Sequence, residues 1–491
     1  GATAIHYLGG TFISTFNLAN FEDATVAVNV SGRDLSLASR ITMNAHYGVR
    51  TNPAYENDPN SLVDWQGYEP YPGCVAISNV GAGKAFTTIQ AGVNALPQTL
   101  PGHACVVIRD GATYAEQVTV RNFTNNGSSI TILTDAAVGS RAVIAPPAAS
   151  TAAFVIANAS VNIQGITASV SLSVPYGIYA SSSYVTLSSV TVSGSAGIYT
   201  AGVRISSWST VSNSSITVGD AHGFWLDGST RTTISFSTAV NNSAASFAVY
   251  IASANNNAFS VITASNSHAS GYGYYTSGAD TNTVTLSWLA GGAGGARHEE
   301  GSDYNTISFS TMIGSTFYGL YIRNSDSNTV TQSSLWGLSR GAFVQSGADY
   351  NTISFSTIIG GTRGIWIFGS DSNTVTQSYI SGANAGAQLD AGSEYNTISL
   401  STMISSGLIG YFLNGADSNT VTQSYIEGAV DGVLLAAGSN FNAISLSTLV
   451  GVGGSGLNAQ SSDSNMVSQS YMTGNNIGAT LDTGSDYNAI S

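Results

Sequence analysis

An Asn-Thr-Ile/Val tripeptide recurs down the C-terminal half of the chain at an almost fixed interval. Its Asn falls at 282, 305, 328, 351, 373, 396, 419, 442, 465 and 488, always 22 or 23 residues after the last. Ala443, Met466 and Ala489 replace the Thr in three copies, but Val or Ile always follows. Around each Asn the pattern has period 2, with Asn328, Val330 and Gln332 on one side and Thr329, Thr331 and Ser333 on the other. Period 2 marks a strand. A second strand-like run precedes it, as at 364–368, where Ile365 and Ile367 share one face and Trp366 and Phe368 the other. Gly, Ser, Asp and Asn fill the gaps, as turns require. A unit of such short strands cannot bury its own apolar face, so the copies must stack. Stacked copies pair in parallel about 4.8 Å apart, and parallel crossovers are overwhelmingly right-handed. The repeat therefore predicts an all-β, right-handed parallel β-helix.

In such a stack, equivalent residues form columns. One inward column lies two residues after each Asn (Val284, Ile307, Val330, Ile353 and onward), and a second runs Ile322, Val344, Ile367, Leu389, Leu413. The Asn shares the parity of the Val/Ile and is expected inside, where stacked amides satisfy one another. Tyr304, Tyr350, Tyr395, Phe441 and Tyr487 precede every second Asn, and Ser327, Ser372, Ser418 and Ser464 precede the others. The true period is thus two turns. Relief of crowding between large side chains explains it; a lateral partner with the same period is the alternative.

Upstream the repeat loosens but persists, with Val161, Val185, Val211, Ile234 and Phe259 opening comparable strands. Three regions follow: 1–72, a small β-rich or irregular attachment region without the repeat; 73–160, the entry and N-terminal cap of the solenoid; and 161–491, the β-helix, regular from about 279. Residues 86–96 read as the one helix, with Thr87 as N-cap. The segment Ala85-Phe-Thr-Thr-Ile-Gln-Ala-Gly-Val, followed by Val106-Val-Ile-Arg-Asp-Gly-Ala-Thr-Tyr-Ala-Glu116, resembles the opening of pectin-lyase-like proteins, pectin methylesterases included. The downstream repeats resemble those of β-helical carbohydrate-binding proteins and sugar hydrolases. This resemblance implies the fold over roughly 80–491. The catalytic segments of the esterase family, a Gln-Asp pair and an Asp-Phe-Ile-Phe-Gly-like strand, have no counterpart, so the resemblance carries no activity over.

Only 8% of residues are charged, the formal net charge is −14, and Lys84 is the sole lysine among 13 basic residues, leaving twelve arginines. Nucleic-acid binding needs clustered cations and is excluded as an expectation. No apolar run approaches the roughly 18 residues of a membrane span, and the chain begins at Gly1, as a processed or trimmed chain does. Cys74 and Cys105 each adjoin a strand-like run; a disulfide between adjacent strands and a pair of buried thiols are the two readings.

Several features could carry chemistry. A column of Asp280, Asp303, Asp326, Asp349, Asp371, Glu394, Asp417, Asn440, Asp463 and Asp486 lies two residues before each Asn. Neighbouring carboxylates one turn apart repel by roughly 3 kcal/mol at an effective dielectric near 20. Bound Ca²⁺, with Asp303, Asp326, Asp349 and Asp371 as ligands, would offset that. So would Asx-type hydrogen bonds to the backbone, the reading Asn440 favours. Otherwise no cofactor is expected. Tyr321, Phe343, Trp366 and Phe412 form an outward aromatic strip suited to sugar or to a neighbouring filament. His298 falls in an inward apolar column beside Arg297, Glu299 and Glu300; acid–base work by His298 and Glu299 is one reading, and an outward bulge of that turn the other. Asp220, His222 and Asp227 form a second charged cluster, and sugar hydrolases use paired carboxylates.

The chain stops in mid-repeat at Ser491, an open end that either continues or is covered by another subunit. Together these features predict a secreted or cell-surface structural or adhesive β-helix that associates with itself, head-to-tail or laterally, as a filament subunit or stalk. The alternative is a carbohydrate-active enzyme, of the polysaccharide lyase or hydrolase type, or a glycan-binding module with a polysaccharide partner.

Overall fold

The computed structural model describes residues 74–135, 138–475 and 477–491, and upstream of these five short strands: Thr3–Tyr7, Ile13–Ala19, Val26–Val30, Arg40–Ala45 and Val63–Asp64. Those five pair in parallel with one another. The rest of the expected attachment region, 1–72, lies outside the described residues.

From Cys74 onward the chain is a parallel β-solenoid. Each turn lays down three strands, as in Thr352–Ser354, Thr357–Gly360 and Arg363–Phe368, and each pairs with its equivalent one turn on. We call the three faces the asparagine sheet, the middle sheet and the aromatic sheet. Among the described residues the middle and aromatic sheets each hold 16 strands. Between those two the chain turns a corner that glycine makes tightest: a Cβ on Gly360 would lie 1.7 Å from the carbonyl oxygen of Arg363, although Ser405 holds the equivalent position two turns on. Ahead of the regular turns sits the helix Ile89–Asn94, capped by Thr88 and not Thr87, because the Thr88 hydroxyl accepts from the Ala91 N–H. Among the described residues no helix is long and apolar enough to cross a membrane.

The core is the stack of inward columns. Val284, Ile307, Val330 and Ile353 are at most 2% exposed on the asparagine sheet, as are Ile322, Val344, Ile367 and Leu389 on the aromatic sheet. The middle sheet adds Leu289, Met312, Leu335 and Ile358, all fully buried. Each such side chain contributes about 1.5–3 kcal/mol on burial.

Polar needs are met along the axis. The buried asparagines form a file: Asn305 N–H donates to Asn328 Oδ1 at 2.8 Å, Asn328 N–H to Asn351 Oδ1 at 2.9 Å, and so on to Asn488. Their side-chain amides turn mainly to backbone carbonyls, as Asn305 Nδ2 does to Ala279. A parallel file of serines, Ser287, Ser310, Ser333, Ser356 and onward, does the same with hydroxyls. Strict alternation had put Ser333 outside and Gln332 inside. The reverse is found, because Gln332 takes a left-handed φ of 48° and flips the parity.

The acidic column resolves as backbone capping. Asp326 N–H donates to Asp303 Oδ1 at 2.7 Å, Asp349 N–H to Asp326 Oδ1 at 2.8 Å and Asp371 N–H to Asp349 Oδ1 at 2.7 Å. One oxygen of each of Asp303, Asp326 and Asp349 is thereby committed to the next turn.

Candidate functional site

The outer face of the aromatic sheet gathers the unusual side chains. Because its strands stack in register, one outward position per turn becomes a continuous column: Tyr179, Arg204, Trp225, Tyr250, Tyr275, Arg297, Tyr321, Phe343, Trp366, Gln388 and Phe412. Rings on consecutive turns lie face to face, with Phe343 and Trp366 centroids 4.6 Å apart and Tyr321 and Phe343 5.5 Å apart. The expected exposed strip is therefore partly covered: Tyr321 is 7% and Phe343 5% exposed, since each ring shields the next. Trp366 and Phe412 are half-buried.

Six of the twelve arginines, Arg121, Arg204, Arg297, Arg323, Arg340 and Arg363, stand on this one face. Rings hold four of them flat: Arg340 lies 4.2 Å from the Trp366 centroid, Arg363 4.7 Å from the same ring, Arg297 4.8 Å from Tyr321 and Arg204 4.8 Å from Trp225. Such cation–π contacts orient a guanidinium without neutralising it. Arg204 pairs with Asp227 at 2.6 Å. Arg297 and Arg323 both pair with Glu299, at 2.5 and 2.9 Å. Burial alone would raise the Glu299 pKa, but hydrogen bonds from Tyr275 and Arg297 outweigh it and hold the group ionised. Glu299 is thus an anchor for two arginines and is not poised as an acid.

Arg340 and Arg363 pair with no carboxylate among the described residues. They occupy equivalent positions on adjacent turns. Arg363 Nε donates to Gln388 Oε1, while Arg340 Nε is buried without a partner, as are Arg297 Nε and Trp225 Nε1. Burial, together with Arg363 and against Tyr318, pulls the Arg340 guanidinium below its usual range. Beside them the Asp390 carboxylate is taken up by Trp366 Nε1 at 2.7 Å and Gln388 Nε2 at 2.8 Å.

The two histidine candidates part company. His298 points into the core, 1% exposed, with Nδ1 2.8 Å from Thr276 Oγ1 and Nε2 unpartnered. Its strand, Gly294–Glu299, keeps register with both neighbours and does not bulge. Burial lowers its pKa to about 4, and the core position keeps it from any ligand on the outer face. His222 is on the outer face, stacked on Tyr250 at 4.7 Å. Its Nδ1 accepts from the Phe247 N–H at 3.0 Å, and burial lowers its pKa to about 4, so near neutral pH it presents an Nε2–H donor.

Asp220 accepts from Ser243 Oγ at 2.5 Å and Asp227 holds Arg204. The strand His222–Asp227 separates them. Its extended backbone alone spans about 16 Å, beyond the roughly 5–9.5 Å between the carboxyls of a glycosidase pair. Cys74 and Cys105 are joined in a disulfide between adjacent parallel strands, with Cα atoms 5.8 Å apart. Among the described residues no group of three or more His, Cys, Asp or Glu is arranged to hold a metal ion. At the N-terminal end of the same face, a polar cleft of about 540 Å³ lies under the helix, lined by Gln90, Gln117, Thr119 and Arg121.

A family model described as "Right handed beta helix region" matches residues 176–335 and 318–477. No curated protein matches the chain. Among solved structures, it is similar to the A-module of mannuronan C-5 epimerase AlgE6 from Azotobacter vinelandii, with 13% identity, 82% of this chain and 93% of that one covered, and a TM-score of 0.32. It is also similar to DFA-IIIase from Arthrobacter chlorophenolicus A6 (14% identity, 65% and 93% covered, TM-score 0.41) and to the Dettilon tailspike protein (12%, 79% and 62%, 0.33). At these values the likeness is one of chain path.

Proposed function

The chain belongs to the right-handed β-helix family, and on that fold we propose an extracellular glycan-binding protein whose aromatic sheet takes an acidic polysaccharide lengthwise. One observation carries this reading. In a chain of net charge −14, Arg340 and Arg363 sit one turn apart on the same ring ladder without a carboxylate to pair them. At one turn's spacing and an effective dielectric near 20, two such charges repel by about 3 kcal/mol. A ligand carboxylate or sulfate across the pair turns that repulsion into attraction. Planar, ring-backed guanidinium is the group best suited to bidentate recognition of such anions.

The column runs on for many turns, which suits a polymer better than a compact ligand. Because the rings cover one another, recognition falls on guanidinium and imidazole groups more than on sugar stacking; His222 Nε2–H is the neutral donor that supports it. The disulfide supports an oxidising, extracellular setting. The reading is of binding: Asp227 and Glu299 are engaged in ion pairs, Asp220 in a hydrogen bond, and His298 is enclosed.

The test is titration of the chain with a polyuronate, a sulfated glycan and a neutral glycan at two salt concentrations. Acidic glycans should bind with salt-dependent affinity, and the double variant Arg340→Gln/Arg363→Gln should bind them roughly tenfold more weakly or worse. Equal affinity for neutral glycan, or an unaffected double variant, refutes the proposal.

A further inference from the structure

The two-turn alternation is left unexplained by the aromatic sheet, because it lies on a different face. Tyr304, Tyr350, Tyr395 and Phe441 stand at one edge of the asparagine sheet, 62–65% exposed, and Phe309 and Phe355 stand at the other edge of the same turns, 52% and 56% exposed. On the turns between, Ser327 and Ser372 occupy the first position and Gln332 and Gln377 the second. Crowding does not require the gaps. On the aromatic sheet this same chain places Tyr321, Phe343 and Trp366 on consecutive turns, stacked at 4.6–5.5 Å. Nor does the backbone ask for rings, since Tyr304 and Ser327 adopt the same left-handed φ of 57° and 58°. A bulky residue gains nothing from that conformation. The rings are exposed, evenly spaced and costly to hold where they are.

We propose that this face is an interface between two copies of the chain, packed side by side and offset by one turn, so that the rings of each fill the gaps of the other. Rings two turns apart are about 9.6 Å from one another. A ring inserted midway lies about 4.8 Å from each neighbour, the spacing the chain already uses between Phe343 and Trp366, 4.6 Å. The floor between the two edges is hydroxyl, with Thr329, Thr331 and Thr352 facing outward and half-buried. With the copies parallel, the tyrosine edge of one meets the Phe309 edge of the other. Each acidic column then faces uncharged side chains instead of its own copy. The regular turns give a face about 38 Å long and 17 Å wide. Two copies would cover about 1,300 Å² together, within the range of specific complexes.

Sedimentation velocity across a concentration series tests this. The wild-type chain should dimerise or associate further. The triple variant Tyr304→Ser, Tyr350→Ser, Tyr395→Ser, which copies the intervening turns and so should keep its far-ultraviolet spectrum, should associate at least roughly tenfold more weakly. The opposite triple, Ser327→Tyr, Ser372→Tyr, Ser418→Tyr, fills the gaps and should also associate more weakly. A wild-type chain that stays monomeric at every concentration overturns the inference. So does a gap-filled variant that associates more tightly, the mark of unspecific stickiness. Because the face is separate, the Tyr→Ser variant should bind acidic glycan as the wild type does, and the two readings fail independently.

Discussion

The asparagine file makes a quantitative contrast between two neighbours. Asn351 Oδ1 accepts from the Asn328 N–H at 2.9 Å and from Asn328 Nδ2 at 3.1 Å, and its own Nδ2 donates to the Ser325 carbonyl at 3.0 Å. Asn373 has the same burial, but the turn before it is one residue shorter. Its Oδ1 accepts only from the Asn351 N–H at 2.8 Å, and its Nδ2 is buried without a partner. Truncation to Ala opens similar cavities, so the cavity cost largely cancels. Asn351→Ala orphans two buried donors and a carbonyl, each worth about 1–3 kcal/mol or somewhat less, for a total near 4 kcal/mol. Asn373→Ala orphans one buried N–H but removes an already orphaned amide, for a net near 1–2 kcal/mol. The gap of about 2 kcal/mol is roughly thirtyfold in an opening constant. A solenoid opens by turns instead of all at once, so the assay is native-state hydrogen exchange of the amides in the flanking turns. Equal protection in the two variants, or greater loss in Asn373→Ala, refutes the account of the file as a set of satisfied hydrogen bonds.

Two further predictions concern charge. His298 is held neutral, with its pKa near 4 in the folded chain against an ordinary value of 6.5; its contribution to stability is complete above 6.5 and is lost as pH falls toward 4, by about 3 kcal/mol. His298→Leu, matching Leu389 in the same column, should remove that slope from melting temperatures measured between pH 7 and 4; an unchanged slope refutes it. Burial raises the pKa of Asp349, with Asp326 and Asp371 adding to it against the Asp371 backbone hydrogen bond. A carboxyl raised on folding disfavours the folded state once pH exceeds its folded pKa, so Asp349→Asn, which keeps the backbone acceptor, should raise the melting temperature slightly at neutral pH. The gain should fade as pH drops below that pKa, and a loss at pH 7 would show the charge itself to be stabilising.

How much was legible depended on whether the interval stayed constant. From Asn282 onward a fixed count placed the inward columns, the asparagine file, the acidic column and the inward His298. The ring ladder was legible only as Tyr321, Phe343, Trp366 and Phe412, because upstream the spacing wanders: Arg204 to Trp225 is 21 residues, Trp225 to Tyr250 is 25. Counting from an asparagine fails there, whereas the outward parity of each strand would have found Tyr179, Trp225, Tyr250 and Tyr275. The serine file was in plain view, five residues after every Asn up to Ser470. It was misplaced because a period-2 rule assumes extended backbone, and one left-handed residue reverses it. The arginine pair was missed because Arg340 and Arg363 lie three residues before Phe343 and Trp366 in the same strands, an odd interval that strict alternation assigns to opposite faces.

Axial hydrogen bonding has a consequence for what the outside can do. Asparagine, serine and aspartate files meet the polar needs of each turn from the turns above and below, so outward side chains owe little to the fold. Two faces have used that freedom in opposite ways. On the aromatic sheet a ring or guanidinium stands on nearly every turn, and what remains open is charge. On the asparagine sheet rings stand on every second turn, and what remains open is space of one ring's thickness. Two adjacent arginines without carboxylate partners call for an anionic polymer, whereas a face with evenly spaced gaps calls for something that repeats at the same two-turn interval, and the chain itself is the structure at hand with that period.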